Sequence, residues 1–206
     1  MRAENRTALQ KLLNTGALSA QQAVLCEKYV ELIEAWNQRT RLVSHNDESR
    51  IVSRHITDSL GFCRPEIIPY TGTILDLGSG AGFPGIVIKL MAPHLRVYLV
   101  ESRRMKALFL DEVIEQLEWS GIEVLCRRVE TLRSGDEVPP LDRIVARCVA
   151  PLPQLWSWSR PLLKKGGLLA AQKGGNISRE LSDSGAGSVS AVPLREDVKI
   201  YLLQAK

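Results

Sequence analysis

The chain has few cysteines, and none of them lies close to another in sequence. Cys26, Cys63, Cys126 and Cys148 are scattered, and no C-x-x-C pair occurs. Structural zinc sites and disulfide frameworks are both recognised by regular cysteine spacing, which is missing here. The pattern therefore predicts reduced thiols, no metal centre and a cytoplasmic protein.

Long apolar runs, abundant aromatic side chains and a strong charge imbalance are also missing. No apolar stretch approaches the roughly 20 residues of a membrane span, and the N-terminus does not resemble a secretory signal. Aromatic residues make up only 5% of the chain, too few for an obvious platform on which an extended nucleic-acid strand would stack. The net charge of +4 permits an anionic partner without establishing one.

The first third of the chain has a helical pattern. Ser19 is a suitable N-cap for a helix that runs through Trp36, and a further helix is predicted over residues 51–60. Pro65 marks the junction with a different pattern. We expect a helical extension over residues 1–64 that packs on one α/β domain over residues 65–206.

Strands and helices alternate from residue 73 onward. Predicted strands cover residues 74–77, 97–100, 122–126, 143–147 and 167–172, with helices at 84–91, 103–119 and 152–163. A terminal hairpin joins residues 189–194 to 198–203. This order predicts a mostly parallel, seven-stranded Rossmann-like sheet with helices on both faces and one antiparallel strand from the hairpin.

The most informative stretch is Ile-Leu-Asp-Leu-Gly-Ser-Gly-Ala-Gly-Phe-Pro-Gly at residues 74–85. The dinucleotide pattern G-x-G-x-x-G fails from Gly78, because its third glycine would fall on Phe83. Counted from Gly80 it succeeds, but Gly78 is then left over. The pattern Asp76-x-Gly78-x-Gly80-x-Gly82 accounts for the whole stretch, and it resembles motif I of S-adenosylmethionine-dependent methyltransferases. A carboxylate at Asp76 suits the ammonium and sulfonium groups of that ligand, directly or through water.

A second acid, Glu101, ends the next predicted strand about 20 residues beyond the glycines, where a carboxylate can accept both ribose hydroxyls. A solvated strand end is the alternative interpretation. Ligands of such sheets bind at the carboxyl ends of the strands. Glu130 could accept from an adenine amino group, although the adjacent backbone amide or a solvated loop stays open. The residues expected at this rim are Asp76, Gly78, Glu101, Val129, Glu130 and Arg147.

Several motifs occur together and in one order. They are Asn37-x-x-x-Arg41-Leu42-Val43-Ser44, Arg54-His55-x-x-Asp58-Ser59-Leu60, residues 76–85, Glu101-Ser102, Arg147 and Gln172-Lys173-Gly174. With these motifs the chain is similar, over roughly residues 30–180, to the small-subunit (16S) rRNA guanine-N7 methyltransferase family, also called the glucose-inhibited division protein B family. The specific part is the combination of the glycine-proline loop with the Arg-His-x-x-Asp-Ser segment.

The resemblance implies an S-adenosylmethionine-dependent methyltransferase fold and a bacterial enzyme that methylates N7 of one guanine in 16S rRNA, within the small ribosomal subunit. We also expect a monomer that is not bound to membranes. Carried over by motif position, the cofactor contacts are Gly78, Phe83, Val129-Glu130 and Arg147. Asp76, Gly80 and Glu101 follow from motif I and from the rim argument. The family usually has Ser-Arg-Ala around Arg147, where this chain has Ala146-Arg147-Cys148, and Ala in place of Val129; these changes affect local packing.

Guanine N7 carries a lone pair and no proton at neutral pH, so attack on a sulfonium methyl group needs no general base. Catalysis then depends on holding N7 in line with the methyl–sulfur bond. Negative or dipolar groups near the base would help, because positive charge moves onto the purine. Arg147 is accordingly predicted to be a catalytic residue that positions substrate or cofactor and is neither acid nor base.

Five other side chains invite a functional interpretation, and for three of them, His55, Asp58 and Cys148, we do not favour catalysis. His55 and Asp58 lie one helical turn apart, and we expect a structural or RNA-facing role for both. Cys148 lacks the Pro-Cys context of a cytosine-C5 nucleophile and is predicted to be a small apolar filler. Of Trp156 and Trp158, one is expected in the core, while the other is a candidate for base stacking.

Basic residues such as Arg39, Arg103, Arg127 and Lys173 predict a basic rim for RNA, although an ordinary solvated surface stays open. Three other functions also stay open. They are methylation of a small molecule, a non-catalytic S-adenosylmethionine-binding ribosome factor, and a nicotinamide-dependent oxidoreductase, which the position of Phe83 disfavours.

Overall fold

A computed structural model describes residues 1–205 of the chain. It contains a seven-stranded sheet and seven α-helices within that range. The strands are β1 (Thr73–Leu77), β2 (Arg96–Val100), β3 (Ile122–Leu125), β4 (Leu141–Arg147), β5 (Leu163–Gly174), β6 (Val189–Arg195) and β7 (Val198–Gln204). The helices are α1 (Ala3–Asn14), α2 (Ala20–Asn37), α3 (Thr57–Leu60), α4 (Gly85–Met91), α5 (Arg104–Gln116), α6 (Leu152–Ser159) and α7 (Ser178–Asp183).

The strand order is β3-β2-β1-β4-β5-β7-β6. Strands β1 to β5 are parallel, and β7 runs antiparallel to β5 and to β6. The predicted Rossmann-like sheet is therefore confirmed. Because the order reverses between β1 and β4, a crevice opens above the carboxyl ends of these two strands.

Strand β1 lies in the middle of the sheet because its side chains are apolar on both faces. Ile74 belongs to the buried cluster on one face, while Leu75 and Leu77 belong to the cluster on the other. Alternation with a period of two residues sends successive side chains to opposite faces. A strand buried on both faces must carry helices on both, as predicted.

The N-terminal helices pack on the helices that cover one face of this sheet, with α2 against α4 and α5 and α3 against α4. Helix α2 begins with a capping box, in which the Ser19 hydroxyl accepts from the Gln22 amide and the Gln22 side chain accepts from the Ser19 amide. Tyr29 and Ile33 of α2 are fully buried in the same cluster as Ile86 of α4. The division into residues 1–64 and 65–206 stays a prediction.

Residues 51–60 are helical as predicted, but they do not form a single α-helix. A π-helical turn at Ile51–Ile56 is followed directly by α3, and a 3₁₀ turn at His45–Arg50 precedes both. The buried side chain of Asn5 accepts from the Val52 amide at 3.2 Å and donates to the Glu48 carbonyl at 2.8 Å. A side chain that takes part in the backbone pairing in this way displaces the regular α-helical bonds.

Two predicted helices end earlier than expected. Helix α5 ends at Gln116, not at residue 119, and Glu118 then takes a left-handed φ of 53°. Helix α6 ends at Ser159, and a 3₁₀ turn at Arg160–Leu162 follows. Pro161 explains this second end, because proline has no N–H with which to continue the helix. Among residues 1–205, no helix combines the length and the apolar character needed to cross a membrane.

Replacing Gly82 with alanine tests how tightly the glycine loop is packed. Gly82 has a φ of 97°, and an added Cβ would overlap the Ile86 side chain and lie 2.9 Å from the Tyr29 hydroxyl. Gly16 is a matched control, since its φ is 72° and no described atom lies within 4 Å of its would-be Cβ. We expect Gly16→Ala to cost about 1 kcal/mol of unfolding free energy and Gly82→Ala about 1–3 kcal/mol more. Urea denaturation measures both, and equal losses would contradict the packing.

Candidate cofactor site

The glycine loop after β1 is fixed to the end of β2. The amides of Gly78 and Ser79 both donate to the Val100 carbonyl, at 2.9 and 3.0 Å. Gly78 has a φ of 73°, and a Cβ there would lie 2.8 Å from Cγ2 of Val149. Val149, in the segment after β4, therefore packs on the backbone of the loop at Gly78.

Asp76 is completely buried and is tied to the first turn of α4. Its Oδ2 accepts from the Gly85 amide at 2.9 Å, whereas its Oδ1 is buried without a hydrogen-bond partner among the described residues. Burial raises the pKa of this carboxyl to about 7, and the bond from Gly85 opposes that rise. An orphaned carboxyl oxygen at this place fits the cationic group expected of the ligand, and contact with it stays a prediction.

Glu101 is also buried, so its interpretation as a solvated strand end is wrong. Its Oε2 accepts from the Gly80 amide at 3.0 Å, and its Oε1 accepts from the Arg103 amide at 2.8 Å. The carboxylate thus bridges the glycine loop and the start of α5. Each oxygen retains a lone pair for a further donor, and the predicted ribose contact needs such a lone pair.

A cleft of about 180 Å³ opens beside these residues. Four of the predicted contacts line it, namely Gly78, Glu101, Val129 and Glu130. Val129 and Glu130 lie in a 3₁₀ turn at Val129–Thr131, directly after the end of β3. These four residues follow the ends of three different strands, β1, β2 and β3, as the strand-end rule predicts.

The remaining wall of the cleft was missed or only partly foreseen from sequence. Ser102, Arg127, Arg128 and Val149 line it, as does Trp158. The first four follow directly on strand ends, so the same rim rule could have found them. Trp156 is buried in the core, as expected for one of the two tryptophans; base stacking by Trp158 stays a prediction.

Phe83 and Arg147 form a second group and are not among the described residues that line the cleft. The Phe83 ring is buried, stacks on the His55 ring with centroids 5.2 Å apart, and lies 5.6 Å from the guanidinium carbon of Arg147. The Arg147 guanidinium donates to the His55 carbonyl at 3.3 Å and bonds to the ring nitrogen Nδ1 of His55. Four predicted contacts thus line the cleft, and two form an aromatic–arginine group. The other two, Asp76 and Gly80, do not line the cleft and lie in the hydrogen bonds that hold the glycine loop.

Comparison with known proteins decides the family. A family model described as GidB, rRNA small subunit methyltransferase G, matches residues 22–191. A relative from Gluconobacter oxydans, named ribosomal RNA small subunit methyltransferase G, is 39% identical over 83% of this chain and 86% of its own length. A relative of the same name from Acetivibrio thermocellus is 36% identical over 88% of this chain and 77% of its own length. The chain belongs to the rRNA small subunit methyltransferase G family.

Solved structures agree on the fold. Methanococcus jannaschii TYW2 in complex with AdoMet has a TM-score of 0.56 at 13% identity, over 73% of this chain and 74% of that one. The fibrillarin pre-rRNA processing protein from the same organism has a TM-score of 0.54 at 21% identity, over 68% and 70%. At such identities the likeness shows the fold alone. Together with family membership, it confirms an enzyme of the methyltransferase class whose methyl donor is S-adenosylmethionine.

The residues of this family member fit that donor. The orphaned Asp76 oxygen suits a cation, the open space beside Gly80 allows close approach to the backbone, and Glu101 has acceptor capacity left for hydroxyls. No group of three or more His, Cys, Asp or Glu side chains within residues 1–205 is arranged to hold a metal ion.

A larger cavity of about 590 Å³ lies at the opposite edge of the sheet, beside Arg96 and Ile122 at the amino ends of β2 and β3. Its buried cation is already satisfied, because Nζ of Lys89 donates to the carbonyls of Pro93 and Leu95 at 2.7 and 2.8 Å. We therefore place the candidate cofactor site in the smaller cleft at the carboxyl edge, where strand order reverses.

His55 and Asp58 do not act as a catalytic pair, because each is engaged elsewhere. Asp58 is buried and accepts from Nε of Arg195 at 3.2 Å and from the Gln172 amide group at 3.4 Å. Burial, reinforced by the neighbouring Arg147 cation, lowers the pKa of His55 to about 4. His55 is bonded to Arg147 and Asp58 to Arg195, so the two side chains do not bond to each other as a catalytic pair would.

Cys148 is not the small apolar filler that the sequence predicts. Its side chain is exposed, and its φ is 55°, in the left-handed region. The chain turns at this residue directly after β4, and the turn brings the next residue, Val149, over Gly78.

Two buried titratable groups of the site, His55 and Asp76, should affect stability in opposite directions. His55 has a folded-state pKa of about 4, below its usual 6.5, so the unfolded chain takes up the proton first and stability falls as the pH drops from about 6.5 to 4. Asp76 has a folded-state pKa of about 7, above its usual 3.8, so stability rises as the pH drops through that range.

In the absence of cofactor, lowering the pH from 7 to 5 should therefore raise the urea midpoint of His55→Asn relative to that of the parent. The same change should lower the urea midpoint of Asp76→Asn relative to that of the parent. The limiting slope for each group is about 1.4 kcal/mol per pH unit. Two variants whose pH profiles run parallel to that of the parent would contradict both pKa directions.

Proposed function

We propose that this chain transfers the methyl group of S-adenosylmethionine to N7 of a single guanine in small-subunit (16S) rRNA. The observation that carries the proposal is the family match over residues 22–191, since the relatives are named for methylation of that RNA. The sulfonium of the bound cofactor supplies an electrophilic methyl group. The assembled small subunit as substrate, a monomeric enzyme and a cytoplasmic location belong to the same proposal.

In this proposal the cleft group holds the adenosine end of the cofactor. Glu101 accepts from the ribose hydroxyls, and the Val129–Glu130 turn meets the adenine ring. The Gly78 and Gly80 backbone lets the ligand lie on the main chain, and Asp76 Oδ1 faces its cationic end. These roles use the free lone pairs of the two carboxyl groups and the open space beside Gly80.

The reaction requires alignment of N7 with the methyl group and no general base, because N7 has no proton to remove. The surroundings of the site agree with this demand. His55 is neutral and bonded, and the Arg147 guanidinium can only donate. Arg147 is the residue proposed to hold substrate or cofactor in register, and alignment of this kind contributes to rate through orientation.

Exposed cations surround the cleft and suit an anionic polymer. Arg103 and Arg104 begin α5 and are both exposed, as is Arg128 at the wall of the cleft. Arg127 is exposed but paired with Glu137. Phosphate contacts from such residues provide affinity without reading sequence. We propose that this rim and the helical extension of residues 1–64 contact the rRNA.

The proposal is tested with small ribosomal subunits that lack the modification. Incubation with the chain and labelled S-adenosylmethionine, followed by mapping of the label, should place one methyl group on N7 of one guanine. Label on a free metabolite, or cofactor and particle binding without transfer, would contradict it and support the small-molecule enzyme or the ribosome factor respectively.

Glu101→Gln supplies the residue-level arm of this experiment. The amide keeps the size of the side chain and loses the charge and one acceptor, so we expect about tenfold weaker cofactor binding by calorimetry, which is about 1.4 kcal/mol. Glu123→Gln, an exposed glutamate of β3, is the control and should bind as the parent does. Unchanged affinity in Glu101→Gln would remove this residue from the site.

A further inference from the structure

The Arg-His segment of the helical extension contacts β4 through one side chain. His55 lies in the π-helical turn at Ile51–Ile56, and Arg147 is the last residue of β4. The guanidinium of Arg147 contacts His55 twice, at the main-chain carbonyl and at the ring nitrogen Nδ1. Two contacts to one residue fix the orientation of the planar guanidinium, not only its distance.

This pairing settles the tautomer of the imidazole. A guanidinium can only donate, so Nδ1 of His55 must accept and the ring proton must be on Nε2. Nε2 is buried, has no hydrogen-bond partner among the described residues, and lies 3.8 Å from Oδ2 of Asp47. The Nε2–H group therefore lies near a carboxylate without a hydrogen bond to it.

Asp47 is itself held in place by two neighbours. It accepts from the Arg54 guanidinium at 2.8 Å and from the Ser44 hydroxyl at 2.7 Å. The charged groups that face His55 are Asp47, Arg54, Asp58 and Arg147, two of each sign. Charge around the ring is balanced, and a neutral imidazole suits these surroundings.

The contacts above are at the edge of the imidazole, whereas one face of the ring packs on the glycine loop. Its ring is nearly parallel to that of Phe83, with an interplanar angle of 16°. Arg147 lies over the same Phe83 ring, so imidazole, phenyl and guanidinium form one packed unit. Displacing the imidazole would remove the Nδ1 contact of Arg147 and the stacking partner of Phe83, whose ring also packs on Tyr29.

We propose that His55 is a positioning residue of the methyl-transfer site: its neutral imidazole, oriented by Asp47, holds the Arg147 guanidinium against the Phe83 ring. The inference rests on the proposed function, because it assigns to Arg147 the task of alignment. It also gives the Arg54-His55 and Ser44 motifs a shared role, since they belong to one chain of contacts that ends at Arg147.

The first readout is nitrogen NMR of the full chain labelled in its three histidines, which needs no cofactor and no turnover. We expect one imidazole with a proton on Nε2, an unprotonated Nδ1 and no titration between about pH 5 and pH 8. His55→Asn should remove this signal and so assign it. In Arg147→Ala the same imidazole should lose its fixed tautomer. A proton on Nδ1, or an unchanged signal in Arg147→Ala, would overturn the proposal.

The second readout is a double-mutant cycle on single-turnover methyl transfer at saturating cofactor. His55→Leu removes the acceptor and keeps an apolar side chain against Phe83, and we expect it to slow transfer by about 10- to 100-fold. His55→Asn, which keeps an acceptor close to the place of Nδ1, should recover most of that loss. In the Arg147→Ala background, His55→Leu should add less than about twofold. The exposed His94→Asn is the control.

The outcomes separate the two proposals. If the rate losses of His55→Leu and Arg147→Ala multiply fully in the double variant, the role of His55 is overturned. The same holds if His55→Asn melts like the parent and yet recovers none of the rate lost in His55→Leu. A parent chain with the expected imidazole signal that methylates no rRNA would instead refute the proposed function.

Discussion

Two buried carboxylates at neighbouring strand ends hold the backbone of the glycine loop, and the site depends on them. Asp76 at the end of β1 binds the Gly85 amide, and Glu101 after β2 binds the Gly80 amide. These bonds fix both the middle of the loop and its entry into α4. Amides of a loop at a helix N-terminus need such partners when they are buried, and a carboxylate is the strongest acceptor a protein offers.

The helical extension completes the site from the other side of the loop. The Tyr29 hydroxyl donates to the Ala81 carbonyl, and its ring packs on Phe83 at 5.7 Å. His55 stacks on the same phenyl ring. The N-terminal helices thus serve as an outer wall for the cofactor loop, and this placement connects the extension to the chemistry as well as to the proposed RNA contacts.

Much of this arrangement follows from local sequence. Runs such as Ile74–Leu77 and Val97–Val100 are short, apolar and bounded by turn residues, so their strand state is predictable, and the strand-end rule places Glu101 and Val129 at one rim. The π-helical turn at residues 51–56 is not predictable in this way, since the side chain of Asn5, far away in sequence, takes part in its hydrogen bonding. The contact of His55 with Arg147 spans 92 residues and needs the finished fold.

Amide hydrogen exchange on the full chain, with and without S-adenosylhomocysteine, tests most directly where the cofactor lies. We expect added protection in peptides that cover residues 76–85, 100–103 and 127–131, and none at residues 93–97 and 120–123 beside the larger cavity. Protection confined to that opposite edge, or no protection at the glycine loop under saturating ligand, would contradict this placement of the cofactor.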